Sequence, residues 1–77
     1  MPNELSTMIV TDPKDLGTFL RQRRETLEIL QGDLASIAGI DQGNLSKIER
    51  GTAKATLETY LRLCKALGVE LIAEPRA

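Results

Sequence analysis

Apolar residues return along this chain at helical spacing in four separate stretches. The first opens at Asp12-Pro13, a capping residue followed by proline at the first helical position, with Asp15 near the positive end of the helix dipole. Leu16, Phe19, Leu20 and Leu27 then share one face, with Arg21, Arg23 and Arg24 between them, which predicts a helix over 13–27. Leu34, Ala35 and Ala38 mark a second helix, 31–38, stopped by Gly39. Asp41 caps a third, with Leu45 and Ile48 inward and Gly51 as its stop. Thr56 caps a fourth, whose Leu57, Tyr60, Leu61, Cys64 and Leu67 keep the helical period until Gly68. Two β-prone runs flank the helices. Met8-Ile9-Val10 is too short to stand alone as a sheet. Val69, Leu71 and Ala73 alternate with Glu70, Ile72 and Glu74, which reads as a strand closed by Pro75. Met1 to Thr7 shows no periodicity. The expected organisation is an N-terminal arm with a possible short strand (1–12), a helical domain (13–68), and a C-terminal strand and tail (69–77).

Composition narrows the function more than the fold. The 77 residues make one small domain, whose core alone supplies only a few kcal/mol, so a second copy or a partner is expected to add stability. At 42% hydrophobic and 27% charged the chain is globular in composition. No apolar run approaches a membrane span and no basic-apolar leader opens the chain. Histidine is absent and Cys64 is the single cysteine, which removes intrachain disulfides, the usual zinc sets and histidine acid–base chemistry. With no nucleophile–base pair, metal set or phosphate loop, the expectation is a cytoplasmic, non-enzymatic protein without a cofactor. Cys64 lies on the inward stripe of the last helix and reads as a buried apolar group. Tyr60 and Phe19 read as core residues and not as a stacking platform for single strands. The net charge of -1 excludes a generic polycation. Its distribution is uneven. Between Gln42 and Lys65, Lys47, Arg50, Lys54, Arg62 and Lys65 face only Glu49 and Glu58, whereas the first 13 residues carry Glu4 and Asp12 and no base.

The segment from Gln31 to Gly51 carries the chemistry. Two short helices joined by Gly39-Ile40-Asp41 make a helix-turn-helix, in which the helices cross steeply. Ala35 is small where the helices must approach, Gly39 accepts positive φ, and Ile40, Leu45 and Ile48 anchor the second helix from beneath. The stretch LGTFLRQRRETLEILQGDLASIAGIDQGNLSKIERGTAKATLETYLRLCKALGVEL, from Leu16 to Leu71, resembles the phage-repressor-like helix-turn-helix family, the xenobiotic-response-element or Cro/CI type. The resemblance implies an all-α bundle of five helices or fewer. It also implies that Asp41 to Arg50 is a recognition helix lying in the major groove of double-stranded DNA. The residues agree: with Leu45 and Ile48 inward, Gln42, Gly43, Ser46 and Lys47 point outward near the helix start. A carboxamide pairs with adenine N6 and N7, and a lysine donates to guanine O6 and N7. Gln42 and Lys47 are therefore the expected base readers, with Asn44 and Ser46 reaching bases or phosphates. Taken singly these are ordinary polar residues of a surface helix; the motif gives them direction. Gly43 stands where relatives often carry a reading side chain, so fewer bases are specified there.

Around this helix the resemblance assigns backbone contacts to Gln31, at the start of the motif's first helix, and to Lys54 and Thr56 in the loop after the recognition helix. Thr56 is also explained as an N-cap. In the family an arginine late in the first helix pairs with a glutamate late in the recognition helix; here these are Arg24 and Glu49, a structural pair and not DNA contacts. Three departures weaken the start of the motif: Leu30 where a Ser or Thr cap is usual, Glu28 where glycine is common, and Gly32 inside a short helix. Readers of this kind work as two-fold dimers on palindromes. The N-terminal run and the strand after Gly68 resemble a narrower group, the HipB-type antitoxins, in which a C-terminal strand pairs across the dimer. Val69, Leu71, Ile72 and Ala73 are the residues so implied, and Met8 to Val10 is a competing ladder partner. That resemblance also implies a protein toxin of the HipA-type kinase class as a partner. A stand-alone phage-type repressor or a restriction-modification controller is the alternative use of the same fold.

Overall fold

The computed structural model describes residues 7–76. Four helices make up its regular structure: α1 (Pro13–Thr26), α2 (Gln31–Ala38), α3 (Gln42–Arg50) and α4 (Leu57–Leu67). Three of the four start as the sequence dictates. The carboxylate of Asp12 accepts from the Asp15 N–H at 3.1 Å, that of Asp41 from the Asn44 N–H at 3.2 Å, and the Thr56 hydroxyl from the Thr59 N–H at 3.2 Å. At α2 the capping position holds Leu30, which has the right extended backbone but no side-chain hydrogen bond. Glu28 sits just before it at φ 59°, the one non-glycine residue with positive φ among the described residues. Both departures read from the sequence are thus built into the same turn.

Every helix contributes to one core. Leu20 of α1, Leu34 of α2, Leu45 of α3 and Leu63 and Leu67 of α4 are fully buried, ringed by Leu16, Ala35, Ala38, Ile48, Tyr60 and Cys64. The closest approach is between α1 and α3 at Gly17. A β-carbon there would overlap the carbonyl oxygen of Ile48, so the absence of a side chain lets the two helix backbones touch. Two arginines close the far ends of helices: Arg23 Nε donates to the Leu67 carbonyl at 2.9 Å and Arg62 Nε to the Ala38 carbonyl at 3.0 Å. Each places a cation on the negative end of a helix dipole and satisfies a carbonyl that the helix itself leaves free. Arg62, counted among the cations of the basic segment, is held in this structural role. Among the described residues no helix is long and apolar enough to cross a membrane.

The structure corrects the sequence reading in three places. No strand forms in the described residues, either at Met8 to Val10 or from Val69 to Glu74. A ladder needs a second row of N–H and C=O groups at hydrogen-bonding distance, and the single chain does not bring these two runs together. Val69 instead ends α4: its N–H donates to the Cys64 carbonyl at 2.9 Å and its side chain packs on the core, after which the chain runs exposed. Secondly, the inward stripe of α4 is Tyr60, Leu63, Cys64 and Leu67, while Leu57 and Leu61 are exposed. The helix carries two overlapping apolar stripes, and contact with α1 and α2 selects the one that includes Leu63. Thirdly, Phe19 is only half-buried and Leu27, one residue past the end of α1, lies largely in the open.

Candidate nucleic-acid interface

The geometry of the site follows from how α3 is seated. Gly39 ends α2 at φ 72° with nothing within 4 Å of a notional β-carbon, so its role is conformational. The Ile40 N–H then turns back to the Ala35 carbonyl at 2.9 Å, and the half-buried Ile40 side chain leads into α3. Burial of Leu45, Ile48 and Glu49 rotates the opposite face of α3 outward. Gln42, Gly43, Asn44, Lys47 and Arg50 are exposed on it and Ser46 is half-buried. Gly43 lies beside the cap, where a β-carbon would stand 2.9 Å from the Asp41 carboxylate. Arg50 folds back, its Nε donating to the Ser46 carbonyl at 3.3 Å.

Beneath this face lies the pair expected from the sequence. Arg24 Nε and Nη2 donate to Glu49 Oε2 and Oε1 at 2.8 and 3.1 Å, and Arg24 Nη1 donates to the Ile29 carbonyl at 2.8 Å. The carboxylate is almost completely buried and the guanidinium nearly so. These hydrogen bonds to Glu49, opposed by burial and aided by the attraction between the charges, hold the Arg24 pKa above its ordinary value. The pair ties the end of α1 and the following turn to α3, so it fixes the pose of α3.

The structure joins this pair to residues that the sequence reading kept apart. Gln31 Nε2 donates to Glu49 Oε1 at 3.0 Å, and Gln42 Nε2 donates to Gln31 Oε1 at 3.3 Å. Gln31 is therefore a bridge between the buried carboxylate and the exposed amide of α3, in addition to standing at the N-terminus of α2. Gly32 makes room for that bridge, because a β-carbon on it would lie 3.1 Å from Gln42 Oε1.

The loop after α3 carries the remaining site residues. Lys54 and Thr56 are exposed and share a cleft of about 270 Å³ with Asn44 and Thr59. A second cleft of about 330 Å³, on the other side of Lys54, is bounded by Asp12, Lys14 and Thr52. Lys14 is a cation that sequence reasoning passed over. Its alkyl chain packs against Gly51, which carries its ammonium group from the start of α1 to the end of α3. No local sequence signal marks it, since the contact joins residues far apart in the chain. Lys14 and Lys54 thus line one cleft, together with Asp12.

Comparison with known proteins places this geometry. A family model described as a helix-turn-helix domain matches residues 15–76. An uncharacterized HTH-type transcriptional regulator of Mycobacterium tuberculosis is 33% identical over 66 residues, which cover 86% of this chain and 47% of that protein. One of Sinorhizobium fredii is 33% identical over 57 residues, 74% of this chain and 29% of that protein. The chain thus spans less than half the length of either relative. Among solved structures, the restriction-modification controller protein C.AhdI of Aeromonas hydrophila superposes with TM-score 0.68 at 33% identity, over 71% of this chain and 83% of that one. The clp gene regulator ClgR of Corynebacterium glutamicum gives TM-score 0.71 at 32% identity, over 74% of this chain and 61% of that one. A HipB variant in complex with the O2 20mer shares the fold more completely, with TM-score 0.81 over 94% of this chain and all of that one, at 22% identity. The chain belongs to the phage-repressor-like, xenobiotic-response-element type of helix-turn-helix proteins, a family of DNA-binding transcriptional regulators.

Proposed function

We propose that this chain is a sequence-specific repressor that binds a palindromic operator as a homodimer, reading bases in the major groove through Gln42 and Lys47. The observation that carries this is the seating of α3: Leu45, Ile48 and Glu49 hold it by one face, so that Gln42, Asn44 and Lys47 are left exposed around the rest of its surface. Ser46 assists from the edge of that face, and the bare Gly43 leaves one position unread. Lys54 and Thr56 take phosphates, and at Gln31 the free backbone N–H groups that start α2 take another. The test is binding of the purified chain to duplex DNA selected from a random library, over a range of salt. Lys54→Ala is expected to weaken binding to all sequences alike and to reduce the log–log salt slope by about 0.9. Lys47→Ala is expected to lose discrimination at one base pair of each half-site. A salt slope unchanged by the first substitution removes Lys54 from the interface.

In this reading the exposed C-terminal segment lies at the dimer contact: Leu71 and Ile72 stand open to solvent and offer apolar surface to a second copy. The partner reading follows the more complete fold likeness: the chain acts as the cytoplasmic antitoxin of a pair, neutralising a HipA-type kinase toxin and repressing its own operon. A chain of a HipA–HipB–O2–O3 complex also superposes, with TM-score 0.79 at 21% identity. The alternative, an autonomous controller, is favoured by the higher identity to C.AhdI. Purifying the tagged chain from its host and identifying stoichiometric partners by mass spectrometry separates them. A co-purifying kinase-like protein supports the antitoxin; a homodimer alone, bound to DNA, supports the controller.

A further inference from the structure

The hydrogen-bonded path from Arg24 to Gln42 has a direction. A guanidinium only donates hydrogen bonds and a carboxylate only accepts them, whereas a carboxamide has one end of each kind. Arg24 donates twice to Glu49 and once to Ile29, so neither member of this buried pair turns without stranding a charge. Glu49 Oε1 accepts from Gln31 at 3.0 Å, which obliges Gln31 to turn its NH2 inward and its oxygen outward. That oxygen accepts from Gln42 Nε2 at 3.3 Å, so one of the two Gln42 amide hydrogens is committed there. Gly32 keeps the space clear, its notional β-carbon lying 3.1 Å from Gln42 Oε1 and 3.6 Å from Cδ.

We infer that Glu49 is a positioning residue for base selection: acting through Gln31, its carboxylate fixes the donor–acceptor polarity of the Gln42 amide and so favours adenine over guanine at the base pair Gln42 faces. The inference rests on the reading of α3 as the DNA-reading helix. Polarised in this way, Gln42 offers one acceptor and one remaining donor, which match the N6–H and N7 of adenine. Guanine presents two acceptors, O6 and N7. Against these the Gln42 oxygen is repelled and the single free hydrogen makes one bond. An amide free to turn gives both hydrogens to guanine and loses the distinction. Glu49 itself touches no base, being 3% exposed on the core side of α3.

The experiment uses the full chain and a random-sequence duplex library to define the preferred half-site. Affinities for duplexes carrying A or G at each position are then compared for the native chain, Gln42→Ala, Gln31→Met and Glu49→Gln. Gln42→Ala is expected to abolish a preference of about tenfold at one position per half-site. Gln31→Met leaves the Arg24–Glu49 pair intact; it is expected to lower the adenine-to-guanine ratio at that same position by about fivefold, the worth of one oriented hydrogen bond, with ratios elsewhere unchanged. In Glu49→Gln the neutral amide has one oxygen for the three donors of Arg24 and Gln31, the hold on the Gln31 orientation weakens, and the same ratio is expected to fall, with thermal melting reporting any loss of stability separately. Equal weakening of all sequences by Gln31→Met, with the ratio intact, makes Gln31 a phosphate contact only and overturns the inference. No change of preference in Gln42→Ala refutes Gln42 as a base reader, and no binding of any duplex by the native chain refutes the underlying reading.

Discussion

The turn between α1 and α2 combines the one positive-φ non-glycine residue among the described residues with a helix start that lacks a side-chain cap, and two substitutions are expected to repair it. Glu28 is held at φ 59°. A side chain in the left-handed region costs about 1–2 kcal/mol. Glycine removes that cost but frees the unfolded chain, which returns about 0.4–1 kcal/mol, so Glu28→Gly gains about 0.5–1 kcal/mol. Leu30 occupies the cap of α2 with φ -69° and ψ 144°, already suited to a capping residue, and its side chain is 70% exposed. Leu30→Ser therefore sacrifices little burial and supplies an acceptor for a free N–H of the first turn, worth about 1 kcal/mol. Together the two substitutions are expected to add about 1.5–2 kcal/mol. For a domain of this size that raises Tm by about 6–16 °C. The assay is thermal unfolding followed by circular dichroism, with all variants at one protein concentration, because self-association makes Tm depend on concentration. A Tm unchanged or lowered by Glu28→Gly refutes the strain argument. A fall with Leu30→Ser means that this leucine is covered in the protein as it exists in solution, and the capping argument fails for that position.

Three further outcomes are expected. Gly17→Ala drives a methyl group into the Ile48 carbonyl and should cost about 1–3 kcal/mol by urea unfolding, although alanine is the better helix former; a neutral result would mean that α1 and α3 separate easily. Glu49→Ala strands the Arg24 guanidinium beside Ile29 and should lower stability by about 3–5 kcal/mol, read by the same method, and an unchanged unfolding midpoint would defeat the structural role of the pair. The backbone N–H of Thr11 and then its hydroxyl donate to the Asp15 carboxylate, which holds its pKa below the ordinary aspartate value. A carboxylate depressed by folding contributes stability above its unfolded pKa and loses it as pH falls through the folded value, so Asp15→Asn should flatten the acid limb of the stability profile, and an NMR titration placing the Asp15 pKa at or above the ordinary value would refute the contact.

Much of the fold was legible because its signals are local. Asp12, Asp41 and Thr56 cap helices through bonds that span three residues, and Gly39, Gly51 and Gly68 end them at positive φ, so sequence alone placed every boundary to within a residue. The misreadings belong to choices that only packing makes. Leu57 and Leu61 have the same period as Tyr60, Leu63, Cys64 and Leu67, and nothing within α4 says which stripe faces α1 and α2. The strand from Val69 to Glu74 has the right alternation but not the neighbour that turns alternation into a ladder.

At the site the same division separates residue identity from residue linkage. The outward placement of Gln42 was legible from the motif, and Gln31 and the Arg24–Glu49 pair from the family resemblance. Their linkage was not, because it depends on the reach of three flexible side chains and on the empty space above Gly32. In the sequence Gly32 reads as a helix penalty, and in isolation it is one. In the folded chain the same missing side chain leaves space beside the Gln42 amide, the contact on which the proposed base selection rests. Lys14 makes the complementary case: a lysine in the first turn of a helix opposes the dipole there, yet its packing on Gly51 brings its charge to the end of α3, beside the loop that carries Lys54. Both residues break a rule of helix design for a reason that lies on another helix. Departures from local preference, at Gly32 and Lys14 as much as at Glu28 and Leu30, are therefore where substitutions distinguish a position kept for DNA reading from one that is merely unoptimised: Gly32→Ala should gain stability and lose base discrimination, whereas Leu30→Ser should gain stability and leave discrimination alone.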